Sequence, residues 1–307
     1  TALIQGQPFG LLPEEFLPQC AASLTACWHL LRGQEFLLVE KVLTRYLPTL
    51  ADLAHQPSIR QQEAASLATQ GYRIIGIVAQ HQTKTAARDI YYQQAVQYAE
   101  IAGKPGLLAA ALISRAYYHK NPSKTLPLYQ RGLLLQEELS PLLLSRLYAR
   151  LAVVSAQQDE EQDALRYLNL AKERYPEHPE TDPGFLYAEF SPASLIMEEG
   201  FMYLSLTQQG KTEYAEQAWE TFAQVEQWPS SIPVPARIQV EIVNHQTRTS
   251  LAMNDLERFC SYLEQGVNGA KFLHSGQRMQ EALNNYKLAR SQWPSETRVQ
   301  SLAESFL

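Results

Sequence analysis

Between Tyr148 and Pro176 two short apolar faces follow one another at helical spacing. Tyr148, Leu151, Ala152 and Ser155 recur at i, i+3, i+4 and i+7, and after the polar break Gln157-Gln158-Asp159 the residues Ala164, Leu168 and Ala171 do the same. Each face mixes alanine with leucine. Small residues let two antiparallel helices approach closely while Leu151 and Leu168 fill the space left between them. A helical hairpin of this kind leaves an apolar face on either side, and another hairpin of the same kind covers it. The spacing therefore predicts a stack of hairpins.

Weaker copies flank the unit. Ala95-x3-Ala99-x2-Ala102, Thr125-x3-Tyr129-x2-Gly132 and Ala215-x3-Trp219-x2-Phe222 repeat the second face, and Ala95, Thr125, Ala164, Ala215 and Phe259 stand 30, 39, 51 and 44 residues apart. The pattern of bulky residue, Leu, small residue, then Ala, large residue, Ala and closing Pro resembles the tetratricopeptide repeat of roughly 34 residues. With only 14 Gly in 307 residues and no sustained alternation of β-branched residues, the chain is expected to be all-α. The expected fold is a right-handed superhelical solenoid of about fourteen antiparallel helices. Residues 1–57 read as a divergent or capping N-terminal helical pair, 58–273 as the repeat array and 274–307 as C-terminal capping helices. Ser140-Pro141 and Ser191-Pro192 read as helix starts, a side-chain cap followed by a proline at the first helical position. The 51-residue step holds the proline-rich acidic stretch Pro176–Gly184. It predicts an inserted loop over 176–190, outside the ladder, with Glu177, Glu180 and Asp182 in solvent.

Charge and motifs exclude several functions. Lys+Arg number 26 against 32 Asp+Glu, a formal net charge of −6, and no basic cluster exceeds isolated pairs, so nucleic-acid binding by this segment is not expected. The longest apolar runs, such as Leu107–Ile113, fall well short of the roughly 18 residues of a membrane span. The three cysteines, Cys20, Cys27 and Cys260, lack the spacing of a disulfide scaffold and favour a reducing compartment. An opening at Thr1 without Met or leader reads as a fragment or processed chain. Gly210-Lys211-Thr212 lacks the first glycine of a phosphate loop and a preceding strand, and reads as a turn between helices. Cys20, Cys27 and His29 do not complete a metal set, and no H-E-x-x-H, G-x-S-x-G or G-x-G-x-x-G occurs. Adjacent carboxylates such as Glu160-Glu161 and Glu198-Glu199 read as solvated helix faces or caps. Neither an enzyme nor a cofactor or metal site is expected.

A further set of motifs carries a resemblance to a known family. Phe16-Leu-Pro-Gln-Cys, Ala26-Cys-Trp-His-Leu-Leu, Tyr46-Leu-Pro-Thr-Leu, Ile232-Pro-Val-Pro-Ala-Arg, Asn244-His-Gln and Cys260-Ser-Tyr-Leu-Glu-Gln-Gly-Val-Asn-Gly-Ala occur in this order. Together they resemble the C-terminal tetratricopeptide regions of bacterial Xre-type helix-turn-helix regulators. The resemblance implies a cytoplasmic sensor or oligomerisation domain, akin to the repeat domains of peptide-pheromone receptors. The DNA-binding domain it implies is absent from this chain.

In such an array the first helix of each pair faces the concave surface. Projecting outward from the packed positions nominates Tyr72, Ser114, Tyr117, Tyr118, Arg146, Gln157, Gln208, Asn244 and Arg248 as lining a groove. Tyr, Asn, Gln and Arg suit an extended peptide, with Arg146 and Arg248 as anchors for an anionic group. The expected partner is a peptide or protein segment. The alternative is a scaffold or homodimerisation module with no ligand.

Overall fold

The computed structural model describes residues 13–117, 121–227 and 234–307. Among these the chain is all-helical, with fifteen α-helices, four short 3-10 helices and no strand. The helices are α1 (Pro13–Leu30), α2 (Phe36–His55), α3 (Gln61–His81), α4 (Thr85–Ala102), α5 (Pro105–Tyr117), α6 (Pro122–Leu133), α7 (Pro141–Gln157) and α8 (Glu161–Arg174). They continue as α9 (Phe185–Ala188), α10 (Pro192–Gln208), α11 (Ala215–Glu226), α12 (Ala236–Ala252), α13 (Leu256–Phe272), α14 (Gly276–Gln292) and α15 (Thr297–Ser301). The helices pair as hairpins, α1 with α2 through α12 with α13, and the hairpins stack as a helical-repeat solenoid. The first members, α1, α3, α5, α7, α10, α12 and α14, touch in sequence and form a continuous inner layer.

The hairpin of α7 and α8 follows from its small residues. Tyr148, Leu151, Ala152, Ala164, Leu168 and Ala171 are all buried. They divide between two adjoining cores, Tyr148, Leu151 and Ala171 on one side and Ala152, Ala164 and Leu168 on the other, so the hairpin joins its two neighbours. Glycine serves the same close approach elsewhere. A Cβ at Gly76 would lie 2.5 Å from the Tyr92 ring, and one at Gly200 would lie 2.6 Å from Phe222.

The array curves until its last hairpins meet its first. The amide of Ala236 donates to Arg32 O at 3.1 Å, Arg237 Nε donates to Leu31 O at 3.1 Å, and α14 begins against the end of α3. There Ser275 caps α14 and its hydroxyl also lies 2.7 Å from His81 Nδ1. Burial, with Arg278 and Arg237 nearby, holds the His81 imidazole well below its usual pKa. It stays neutral and stacks on Phe36 at 4.5 Å.

Two expectations about 176–190 are corrected. The stretch is not a loop in solvent: it contains the 3-10 turn Pro179–Thr181 and α9, which packs on α5 and α7, the concave side of the ladder. Ala188 and Phe190 are buried in a core. Asp182 is only 9 % exposed, and its carboxylate accepts from the Leu142 amide at 2.9 Å and the Gly184 amide at 2.6 Å. Glu177 and Glu180 do face solvent. Asp182 also supplies the cap that the sequence assigns to Ser140, whose side chain accepts no helix amide. Ser191 caps α10 as expected, in a reciprocal pair with Ser194.

Candidate binding chamber

Closure of the array converts the concave face into a chamber. Inner helices arrive side by side, so a side chain at the inward position of each helix points at the same space. The chamber has a volume of about 540 Å³. Trp28 from α1, Arg32 from the turn after it, Tyr117 from α5, Arg146 from α7, Glu198 from α10 and Glu241 from α12 line it, with apolar walls at Ile77, Met197 and Ile238. The inserted segment closes one side with Phe185, Glu189 and Phe190.

A chain of charged pairs runs around its wall. Arg150 Nη1 donates to Glu198 at 2.6 Å and its Nε to the Tyr129 hydroxyl at 3.1 Å, while the Tyr117 ring lies 4.1 Å from the Arg150 guanidinium. Tyr117 donates its hydroxyl to Glu241 at 3.0 Å, and Glu241 accepts from Arg278 at 2.6 Å. Arg278 also pairs with Glu281 at 2.7 Å. The chain links α5, α7, α10, α12 and α14 through groups that are almost all buried. Burial pushes the Glu198 carboxyl up from its usual pKa, and Arg150 opposes that shift. Glu198 therefore corrects the expectation of a solvated face.

Arg73 on α3 stands behind the wall and is fully buried. Its partners are neutral: Ser114 Oγ at 3.0 Å, Gln70 Oε1 at 3.3 Å and the Tyr187 carbonyl at 2.8 Å, with the Trp28 ring at 5.4 Å. Burial pushes its pKa down to about 10, which leaves it charged at neutral pH. Arg146 donates to the Ala188 carbonyl. Arg237 donates to Glu189 at 2.7 Å.

Of the nine groove residues expected from sequence, the chamber brings together Ser114, Tyr117 and Arg146. Tyr118 lies outside the described residues. Tyr72 is turned away from the chamber and is buried against Tyr98, ring centroids 5.3 Å apart. Asn244 joins α12 to α14, donating to Arg278 O at 3.1 Å and Glu281 at 3.2 Å, and is 3 % exposed. Gln157 and Gln208 lie exposed at the ends of α7 and α10, away from the chamber. Arg248 is half-buried and does not line it. The reason is angular. Successive residues of a helix differ by about 100°, so Arg73 reaches the inserted segment where Tyr72 does not, and Glu241 lines the chamber where Asn244, three residues further on, is rotated off it.

Arg73, Arg150, Glu198, Arg237 and Glu241 were missed. A usable signal was the spacing of Arg146 and Arg150, four apart on a helix whose other faces are apolar. The remaining chemistry is sparse. Cys20 and Cys27 are buried in the first core, where burial pushes their thiols up to about 12 and about 11. Gly210-Lys211-Thr212 is a turn, with Lys211 Nζ 2.8 Å from both Asp159 and Glu161.

No family model and no curated protein sequence matches this chain.

Proposed function

We propose that this chain is a binding module of the tetratricopeptide kind whose chamber takes a peptide or protein segment. In this reading it is the sensor region of a bacterial helix-turn-helix regulator, and occupancy of the chamber sets the curvature of the array and so the state of a DNA-binding domain. The carrying observation is the chamber itself, a concave apolar space of about 540 Å³ into which polar groups of several inner helices converge. Ser114, Tyr117 and Arg146 offer a peptide a hydroxyl, a phenol and a guanidinium from two inner helices, α5 and α7.

The test is a peptide-library screen against the intact chain, followed by calorimetry on the best binder with wild-type protein and Arg146→Ala. A charge-assisted hydrogen bond is worth about 1.5–3 kcal/mol, so the variant should bind at least tenfold more weakly with its circular dichroism unchanged. Absence of any saturable binder, or binders indifferent to Arg146, would remove the reading and leave a scaffold.

A further inference from the structure

Three consecutive residues of the inserted segment meet three arginines from three inner helices. Arg73 Nη2 donates to the Tyr187 carbonyl at 2.8 Å, Arg146 Nη1 donates to the Ala188 carbonyl, and Arg237 Nη2 donates to the Glu189 carboxylate at 2.7 Å. Arg73 and Arg146 have no carboxylate among their hydrogen-bond partners within the described residues. Glu189 supplies the largest favourable charge felt by Arg73, and Arg146 the largest opposing one. Among the described residues Glu189 is the one carboxylate hydrogen-bonded to any of the three guanidinia, while Glu198, paired with Arg150, also acts on Arg146 through space.

Two further features bear on this segment, the first shared with Thr83, Asp159, Asn254 and His274. Glu189 is held in the left-handed region, φ 46° and ψ 44°, a conformation uncommon for a residue other than glycine. Among the described residues, no other connection between hairpins contains an α-helix, as the stretch from 176 to 191 does with α9. Glu189 and its neighbours Phe185 and Phe190 border the open chamber directly.

We propose that Arg73, Arg146 and Arg237 form a recognition site for an acidic peptide, and that the chain fills it with its own Tyr187–Glu189 until such a peptide displaces them. This rests on the peptide-binding reading and names both its ligand class and its internal competitor. A peptide with two adjacent carboxylates offers Arg73 and Arg146 the charged hydrogen-bond partner that the Tyr187 and Ala188 carbonyls do not, which is why it displaces a segment already in place.

The experiment uses a blocked nonapeptide copying residues 183–191 with aspartate in place of its alanine, and a control with both carboxylates replaced by amides. Calorimetry on the full chain should show the acidic probe binding the Glu189→Gln chain at least tenfold tighter than wild type, and the amide probe binding neither. Hydrogen exchange of the amides of 185–190 in wild type should accelerate at saturating acidic probe. Equal affinity for the two chains, equal affinity for the two probes, or unchanged exchange overturns the proposal. If Glu189→Gln fails to fold, the exchange measurement on wild type decides alone. Library peptides that bind wild type and Glu189→Gln alike would preserve the chamber as a receptor and eliminate the internal competitor.

Discussion

Two breaks in the ladder read alike in sequence and behave oppositely in space. Gly210-Lys211-Thr212 between α10 and α11, and the stretch from 176 to 191 between α8 and α10, both interrupt helices with glycine or proline among polar residues. The first stays at the surface: Gly210 takes φ 97° to reverse the chain, and Lys211 bridges Asp159 and Glu161. The second turns inward and becomes part of the chamber wall. An interior loop is tolerated only when its backbone groups find partners. Here Asp182 accepts from two amides, while Arg73 and Arg146 donate to two carbonyls. Breaker residues announce that a helix ends. They say nothing of the side of the ladder on which the chain leaves.

The contrast is best broken at Phe190. This ring is 4 % exposed and packs on Tyr175 with centroids 5.8 Å apart, so Phe190→Ala should cost about 3–5 kcal/mol in chemical denaturation. A loss below 1 kcal/mol would return the insert to the periphery. Next in size, Asp182→Ala strands the Leu142 and Gly184 amides and should cost about 1–3 kcal/mol, whereas a neutral result would mean water replaces the carboxylate. At the other break, Lys211→Ala removes only half-buried ion pairs at the surface, and the melting temperature should move little. A clear drop there would erase the distinction between the two segments.

The same division separates fold from site. The α7–α8 hairpin was legible because its determinants, Ala152, Ala164 and Ala171 among larger residues, are local and periodic. Ser114, Tyr117 and Arg146 were legible because they lie on first helices, which the repeat order turns inward. Glu198 and its pairing with Arg150 were not, since the two stand 48 residues apart and Glu198 alone looks like an ordinary solvated charge. Tyr72 and Asn244 failed by a fraction of a turn. A periodicity locates a helical face, but a packed face and a lining face adjoin, and one residue's rotation separates them.

By itself the sequence determined that this chain is helical, where its helices end, and that they pair through small residues, because these depend on backbone preference and on spacing within a few turns. Tertiary structure decided the rest. How far the array curves, that α12 and α14 return to α1 and α3, that the insert enters the chamber, and which charges pair inside it all depend on contacts between residues tens to hundreds of positions apart. No local pattern encodes those contacts, because a guanidinium is tolerated in the interior only by virtue of the partner that the folded chain brings to it.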